Sequence, residues 1–473
     1  MLLSRAFLLI VITLSIYSFM LSSWFKTMDD QFSIVSNQTI QHSSQWPQLF
    51  KEGYFKDHSY YRPLTNVSYA FEFCLFGLDP FHYNLDNVLL HIINALLVWM
   101  LAAMLVNVEA GFWVALLFAI HPVQWEAVSN ISGRAILLST FFSLLTFIFF
   151  TKKKMIFSLL CFALGLLCKE STAILPGILF LYALCFKRKI GPIFWFIPIV
   201  SVYIYVRHNL GITEFFAWRN ANEAMIGFVT FLRSVIMYLR ILVLPVDLHF
   251  DRSLKLFNSV TESAAVLTVI LWGMVGGALI AYRKALTSLH WLALGWFALT
   301  LLPISQIVTT IGVQPGYISC AEHFLYLTSV PVFIVVVTLL YKVNSGHLRI
   351  GLFGVLIFFG LTTIEQNFYA KSELAMIERS LFYQPHNARL NSSVGLIHAL
   401  NGRFVKAEEH FRLAVADDTQ NPRYLISLGK SVCDQKHYQE CLNIYNAIPN
   451  PGGYGKMLDE NKAAVIKLMK EKN

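Results

Sequence analysis

Apolar runs of about 15–20 residues recur from the N-terminal end of the chain to residue 364, and short clusters of lysine and arginine separate them. Runs of that length match the thickness of the hydrocarbon layer of a bilayer. Only 14% of the 473 residues are charged, against about 25% in soluble domains. The net charge of +9 does not indicate nucleic-acid binding, because the basic residues lie mostly at the ends of the apolar runs. The sequence therefore predicts an all-α polytopic membrane helix bundle.

The first apolar run follows Arg5 and could be a signal peptide, but it is long and lacks a clear small-x-small cleavage site. We therefore expect a retained helix with a cytoplasmic N-terminus. About eleven spans are predicted, at residues 6–22, 83–105, 111–120, 135–151, 155–168, 172–186, 190–206, 264–282, 289–307, 324–341 and 350–364. The basic clusters at 152–154 and 187–189 then face the cytoplasm.

One further apolar stretch, residues 225–245, disturbs this arrangement. Counting it as a span would move Arg283 and Lys284 to the outer side. It also carries Arg233 and Arg240, whose spacing places them on one face of a helix. We predict an interfacial or re-entrant helix whose arginines reach lipid headgroups, and a genuine twelfth span is the alternative.

After about residue 367 the composition becomes polar, and a 34-residue period appears. Gly395 and Gly429 are equivalent positions of this period, and so are Phe411 and Tyr445. Glycine, small and aromatic residues at such offsets are typical of the tetratricopeptide repeat, a pair of helices that approach closely at a small residue. We predict about two such repeats.

This change of composition predicts two domains. A transmembrane domain at 1–367 contains a large outer loop at 23–82, and an extracytoplasmic repeat tail follows at 368–473. Two repeats are fewer than the three usually needed for stability, so we expect the tail to lean on the membrane domain or on a partner. A simple folding cap is the alternative. Cys433 and Cys441 can form a disulfide if the tail faces an oxidising compartment.

Acidic, basic and histidine side chains collect on the predicted outer face, whereas the inner loops hold almost only lysine and arginine. Asp29 and Asp30 follow the first helix, where two adjacent carboxylates raise the proton affinity of one of them. One would act as a general base and its neighbour as an orienting group, and a solvated helix end is the alternative. Arg62, in the same loop, either holds a phosphate or is a surface charge. The asymmetry indicates chemistry at the outer leaflet.

Further polar residues of the outer face lie in short loops or at the ends of spans: His121, Glu126, Arg134, Lys169, Glu170, Arg207 and Glu322. Simpler explanations exist for some of them. Proline after His121 can simply stop a helix, Lys169 and Glu170 can neutralise each other, and Arg207 can snorkel to the headgroups.

Sequence motifs of several soluble enzyme classes are absent. The chain has no GxGxxG after a strand, no GxxxxGK[ST], no HExxH and no Cys/His cluster with metal spacing. We therefore expect no metal site among these residues and no cofactor, and the sequence leaves a requirement for a divalent metal open. A donor whose activated group is carried on a membrane lipid fits the outer-leaflet charges better.

Ordered motifs along the chain carry a family resemblance. They are Asp29-Asp30, Tyr61-Arg62-Pro63-Leu64, the segment 76–82, His91, His121-Pro122, Gly133-Arg134, Lys169-Glu170 and the segment 321–327. With the repeats that follow, the chain resembles the transmembrane and tetratricopeptide-repeat-containing family of protein O-mannosyltransferases, within the C-type glycosyltransferase fold. The resemblance implies inverting transfer of a sugar, with mannose expected, from a polyprenyl or dolichyl phosphate carrier to a Ser or Thr hydroxyl of an extracytoplasmic protein.

The resemblance also implies roles for individual residues. An acidic residue of the first outer loop is the base in related enzymes, which implies Asp29 or Asp30. The residues implied to stabilise the departing lipid phosphate are Arg62, Arg134, Lys169 and Arg207. The residues implied to orient sugar or acceptor are His121, Glu126, Glu170 and Glu322.

The chain departs from the family in three places. Its repeat array is short, His323 stands where family members tend to have arginine, and Arg252 stands where tryptophan is commoner. The short array favours a bacterial homologue in the plasma membrane, or the endoplasmic reticulum membrane if the source is eukaryotic. It also leaves open a sugar other than mannose and a glycan or lipid acceptor. Two other functions compete, a flippase or transporter of lipid-linked sugar and a non-catalytic scaffold that presents the repeats.

Overall fold

The computed structural model describes residues 2–55, 60–212, 220–307, 311, 314–341, 346–448 and 450–472. The chain divides into two compact units. The first unit comprises Met1–Leu248, Leu256–Ile311 and Cys320–Ser372, and the second comprises His249–Lys255, Gly312–Ser319 and Glu373–Asn473.

In the described part of the first unit the α-helices are α1 Leu2–Tyr17, α2 Gln38–Gln41, α3 Pro63–Phe76, α4 Pro80–Leu105, α5 Val108–Ile120, α6 Trp125–Val128, α7 Arg134–Thr151, α8 Met155–Cys168, α9 Leu175–Cys185, α10 Phe196–Asn209, α11 Ala221–Val243, α12 Ser263–Ala281, α13 Ser288–Leu301, α14 Leu325–Tyr341 and α15 Gly346–Lys371. Short 3-10 turns join several of them.

Local sequence explains where some of these helices begin. The Asp79 carboxylate accepts a hydrogen bond from the Phe81 backbone N–H at 3.1 Å, and Pro80 occupies the first position of α4. The Asn107 side chain accepts from the Ala110 backbone N–H at 2.8 Å at the start of α5. Both caps satisfy N–H groups that have no partner within the helix, and proline suits a position where no N–H is needed.

Seven helical segments of the described residues are long and apolar enough to cross a membrane: Leu2–Met20, Pro80–Leu105, Ile131–Thr151, Ala221–Val243, Ser263–Ala281, Glu322–Tyr341 and Gly351–Lys371. The chain is thus an all-α multi-pass membrane protein, apart from two three-residue strands. Each of the eleven predicted spans coincides with a helix, but α8, α9 and α13 are shorter apolar helices. The count of eleven stays a prediction.

A bend of 56° separates α5 from the segment Pro122–Val128, and this pair forms an eighth candidate span if it counts as one. The helix ends at Ile120 because Pro122 cannot donate a backbone hydrogen bond. His121 then caps the next turn, because its Nδ1 accepts from the Val123 backbone N–H at 3.2 Å. Its Nε2 therefore carries the proton and donates to the Leu242 carbonyl at 3.1 Å.

Helix α11 covers most of the stretch at 225–245, for which an interfacial position was predicted. Its length and hydropathy also permit a crossing, so the interfacial position stays a prediction. Arg240 lies 2.9 Å from Asp247, and the Arg233 guanidinium lies 5.5 Å from the centre of the Phe257 ring. Both arginines thus have protein partners within the unit.

In the second unit the α-helices are α16 Glu373–Tyr383, α17 Ala388–Leu400, α18 Phe404–Asp417, α19 Pro422–Asp434, α20 Tyr438–Asn446 and α21 Gly455–Lys472. Strands β1, Ser253–Lys255, and β2, Tyr317–Ser319, pair antiparallel in this unit. The predicted division had left both strand segments in the membrane domain. They belong with the tail because they pair with each other and hydrogen-bond to its first helices: Ser253 Oγ donates to Gln384 Oε1 at 2.8 Å, and the Ala388 backbone N–H donates to Gln314 Oε1 at 2.6 Å.

Two successive helix pairs in the second unit, α17 with α18 and α19 with α20, pack closely at equivalent glycines. A Cβ added to Gly395 would lie 2.8 Å from the Phe411 ring, and one added to Gly429 would overlap the Tyr445 ring. This is the close approach that the 34-residue period predicts, although the assignment as tetratricopeptide repeats stays a prediction. Cys433 and Cys441, for which the sequence indicated a disulfide only as a possibility, form one in the structure.

Candidate active site

The two acidic residues after the first helix occupy different surroundings. Asp30 is 1% exposed. Its carboxylate accepts from the backbone N–H of Lys26 at 2.9 Å and from that of Ser132 at 3.0 Å. Burial raises the pKa of Asp30 to about 6, although the Lys26 ammonium and these hydrogen bonds lower it. Asp29 is only partly buried, so its carboxylate is the more accessible of the two.

Arg62 forms a two-pronged ion pair with Glu170, with its Nε 3.0 Å from Oε2 and its Nη2 2.6 Å from Oε1. The guanidinium also lies 4.4 Å from the centre of the Tyr60 ring and 5.3 Å from that of Tyr54. Burial opposes the charge of Glu170, but Arg62 outweighs it and holds the pKa of Glu170 near 2. Glu170, predicted to orient substrate, thus fixes the position of the predicted phosphate-binding arginine.

Lys169 lies beside this ion pair and is partly buried. Burial and, next, the charge of Arg62 lower the pKa of its ammonium to about 7, against the opposing charges of Glu170 and Glu126. Among the described residues, no side chain or carbonyl accepts a hydrogen bond from this ammonium or forms an ion pair with it. An anion bound here would raise the pKa of Lys169 and complete its hydrogen bonds.

The Tyr54 hydroxyl is influenced by the charges of both Asp29 and Arg62. Burial raises its pKa to about 12, while Arg62 lowers the value and Asp29 raises it. Both charges therefore lie within electrostatic reach of one hydroxyl group. The structure in this way brings the accessible acid of the first loop into the neighbourhood of the arginine predicted to bind phosphate.

Two buried carboxylates flank the same region. Glu126 Oε2 accepts from the backbone N–H of His323 at 2.9 Å, and its Oε1 lies 2.9 Å from Nδ1 of the same histidine. The Trp125 indole N–H donates to Glu322 Oε2 at 2.7 Å. Because the charge of Glu126 acts on Lys169, these residues extend the cluster that starts at Arg62.

Arg207 joins the cluster through aromatic groups. It is buried, and its guanidinium lies 5.9 Å from the centre of the Tyr203 ring. The Tyr203 hydroxyl donates to the backbone carbonyl of Tyr61 at 3.1 Å, next to Arg62. The side chain thus lies within the protein, whereas a snorkelling arginine would reach water.

Arg134 and His121 have the contacts of structural residues. Arg134 is 2% exposed, and its Nη2 lies 2.9 Å from both Glu72 Oε1 and the Tyr83 carbonyl oxygen. Its Nε donates to Asn87 Oδ1. A phosphate at this guanidinium would have to displace Glu72. The ring nitrogens of His121 contact backbone groups at the bend after α5, so the predicted roles of both residues in substrate binding stay predictions.

Sequence reasoning did not assign Lys26, Tyr54, Tyr60 or His323 to the site. Lys26 Nζ donates to the Ser129 carbonyl at 3.0 Å, which ties the first outer loop to the turn after α6. Tyr60 could have been found from the sequence, because it is two residues from Arg62 and aromatic rings attract guanidinium groups. In the described part of the chain, no group of three or more His, Cys, Asp or Glu side chains could hold a metal ion.

Relatives with known names cover most of the chain. A protein O-mannosyl-transferase of Caenorhabditis elegans is 26% identical over 445 residues, which cover 87% of this chain and 62% of the relative. Protein O-mannosyl-transferase TMTC3 of Homo sapiens is 25% identical over 447 residues, covering 81% of this chain and 48% of the relative. The corresponding Drosophila melanogaster protein is 23% identical and covers 82% of this chain and 52% of itself. The homologues of this chain are thus TMTC-family protein O-mannosyl-transferases.

The resemblance to protein O-mannosyltransferases, first indicated by the ordered motifs, is thereby confirmed. The chain spans about half to three-fifths of the length of these O-mannosyl-transferases. They are animal proteins, so the expected bacterial source gains no support. No protein-family model matches the chain, and no solved structure matches it.

Proposed function

We propose that this protein transfers a mannosyl group from a polyprenyl or dolichyl phosphate carrier to a Ser or Thr hydroxyl of an extracytoplasmic protein. The observation that carries the proposal is the ammonium of Lys169, which lies beside Arg62 and has no hydrogen-bond or ion-pair partner in the part of the chain that the structure describes. Glu170 is bonded to Arg62, and Glu126 to His323. A protonated Lys169 can therefore still take an anion as its own partner. The similarity to O-mannosyl-transferases over most of the chain supports a lipid-linked mannosyl phosphate as that anion.

The transfer would proceed in one displacement with inversion at the sugar carbon. Asp29 removes the proton from the acceptor hydroxyl, whose oxygen forms a bond to C1 of mannose. The bond between C1 and the phosphate oxygen breaks, and its electron pair leaves with the phosphate. Arg62 and Lys169 stabilise the negative charge that develops on this oxygen.

Asp29 suits the role of the base better than Asp30 does. Each oxygen of Asp30 already accepts a backbone hydrogen bond, and the side chain is almost fully buried. A base must come within hydrogen-bond reach of the acceptor hydroxyl, and Asp29 is the more exposed of the two side chains. Asp30 would then position the loop that carries Asp29.

The second unit would receive the acceptor protein on the outer side of the membrane. The disulfide between Cys433 and Cys441 supports that location, because disulfides persist in oxidising compartments. Helical repeats of this kind commonly present surfaces to peptides or proteins.

Purified protein in detergent should release mannose from radiolabelled polyprenyl-phosphate-mannose and attach it to an acceptor peptide rich in serine and threonine. Asp29→Asn should lower turnover by about 10²–10⁴-fold, the range for loss of a general base. Glu52→Gln, a change in the same outer loop, serves as the control and should retain turnover. Release of mannose at equal rates by wild type and Asp29→Asn would refute the assignment of the base.

Failure of the wild type with every lipid-linked sugar of a donor panel would refute the enzymatic proposal. Movement of intact lipid-linked sugar across a proteoliposome membrane, without cleavage, would identify a flippase instead. Loss of partner binding after changes in the repeats, together with tolerance of Asp29→Asn, would identify a scaffold.

A further inference from the structure

The pair formed by Glu126 and His323 has no part in the transfer step described so far, yet it has the geometry of a proton-carrying pair. Glu126 is buried, and both of its oxygens accept from His323, one from the backbone N–H and one from Nδ1. The buried carboxylate therefore fixes the ring and its tautomer.

This arrangement commits Nδ1 and leaves Nε2 for a further contact. The His323 side chain is 27% exposed, so a ligand can reach the ring. Among the described residues, none forms a hydrogen bond with Nε2. A histidine held in this way through one nitrogen presents the other nitrogen in a fixed direction.

The pair lies next to the cation cluster. Glu126 bonds to His323 and lies within electrostatic reach of Lys169, so one carboxylate acts on groups from two different segments. Other titratable groups from the neighbouring elements are Glu322, which accepts from the Trp125 indole, and His121, whose two ring nitrogens contact backbone groups. A phosphate held by Lys169 would therefore lie within the region that His323 borders.

We propose that His323 is a catalytic acid which donates the Nε2 proton to the departing lipid phosphate, with Glu126 as its positioning residue. This inference rests on the proposed function and deepens it. The donor phosphodiester carries one negative charge. When the bond from C1 to the phosphate oxygen breaks, the electron pair stays on that oxygen and creates a second charge.

The proton on Nε2 moves to that oxygen, so the product leaves as the singly charged phosphate monoester. His323 becomes neutral and Glu126 retains its hydrogen bond to Nδ1. Water protonates the ring again before the next turnover. Meanwhile the proton of the acceptor hydroxyl resides on Asp29, so the two proton transfers occur on opposite sides of the reacting carbon.

Two measurements test this role, binding of polyprenyl phosphate and turnover of polyprenyl-phosphate-mannose. Wild type is compared with His323→Gln, His323→Arg and the control His42→Gln, which changes an exposed histidine of the first outer loop. At about pH 6, His323→Gln should bind polyprenyl phosphate on the order of tenfold more weakly than wild type, because it loses a charge-assisted hydrogen bond.

Turnover separates proton donation from simple charge. His323→Gln should lower kcat by about 10²-fold or more, the usual contribution of a general acid. His323→Arg should restore binding of the phosphate while kcat stays low, because arginine does not release its proton. His42→Gln should match wild type in both measurements. Restoration of kcat by arginine would overturn the acid role, and so would unchanged kcat in His323→Gln.

The outcomes also distinguish this inference from the proposed function. Histidine-dependent binding of polyprenyl phosphate without turnover of the mannose donor would refute mannose as the sugar and support His323 at the phosphate. Turnover without any dependence on His323 would overturn the inference alone. Absence of both binding and turnover in the wild type would overturn both.

Discussion

Lys169 should make binding of the lipid-linked donor strongly dependent on pH. Burial and the neighbouring Arg62 hold the pKa of its ammonium at about 7. About half of the molecules therefore carry the charge at pH 7, and about one in a hundred at pH 9. If the donor phosphate binds only the protonated form, its dissociation constant rises about 50-fold between these two pH values.

Substitutions at this position should separate charge from titration. Lys169→Met removes a charge-assisted hydrogen bond worth about 1.5–3 kcal/mol, so the dissociation constant at neutral pH should rise about 10–150-fold. Lys169→Arg keeps the charge at every accessible pH, so donor binding should become nearly independent of pH between about 7 and 9. The sign follows from the lowered pKa, because protonation and anion binding favour each other and both are lost as pH rises.

Titration of purified protein with fluorescently labelled polyprenyl-phosphate-mannose, repeated across this pH range, measures the effect. Lys154→Met is the matched control, because Lys154 is an exposed lysine of the predicted inner side. Unchanged donor affinity in Lys169→Met would refute the phosphate site. A flat pH dependence in wild type would show that the ammonium does not titrate near neutrality.

Three further outcomes concern stability and pH. Arg134→Ala should lower the free energy of unfolding by about 3–5 kcal/mol in thermal melts, because Glu72 would be left buried without its charge partner. The contribution of Asp30 to folding stability should fall by roughly 3 kcal/mol as pH rises from about 3 to 7, because folding raises the pKa of Asp30 from 3.8 to about 6 and the folded state then holds the proton more tightly than the unfolded chain. The difference in pH dependence between wild type and Asp30→Asn measures this contribution. Gly429→Val should destabilise the second unit by about 1–3 kcal/mol and speed its proteolysis, because the added side chain overlaps the buried Tyr445 ring.

Each of these outcomes has a control within the chain. Arg240→Ala breaks an ion pair that is well exposed, so it should cost less than about 1 kcal/mol. Gly453→Val adds a side chain where no atom lies within 4 Å of the new Cβ. Equal losses in Arg134→Ala and Arg240→Ala, or in the two glycine variants, would contradict the packing described above. A parallel pH dependence in wild type and Asp30→Asn would remove Asp30 as its source.

The membrane helices could be predicted because apolar length is a local property of the sequence. Every predicted span coincides with a helix. Helix α3, in contrast, lies in a loop that was predicted only to be polar. Its sequence is too short for a span, and Pro63 at its start is the only clear local signal. The pairing of β1 with β2 was not predictable from such short segments, because cross-chain pairing depends on packing that distant residues provide.

The site was predictable by residue type and only partly by arrangement. Asp29 and Arg62 lie in one predicted loop, so the sequence places them on the same side of the membrane. The ion pair of Arg62 with Glu170 joins residues 108 positions apart, and the bond between Glu126 and His323 joins residues 197 positions apart. No local pattern encodes such pairs. The different surroundings of the two adjacent aspartates likewise depend on backbone N–H groups that only the folded chain brings together.

The strands β1 and β2 have a consequence for how such a chain can change in length. Gln384 and Ala388, at the end of α16 and the start of α17, bond to the same segments that contribute the strands. The first helices of the array are therefore hydrogen-bonded to segments that come from much earlier in the sequence. Insertion or loss of a whole repeat there would break these bonds, whereas each later helix pair touches mainly its neighbours. The array is therefore fixed at its first helices. Additional repeats can be gained or lost beyond α18 without breaking the hydrogen bonds that hold those helices.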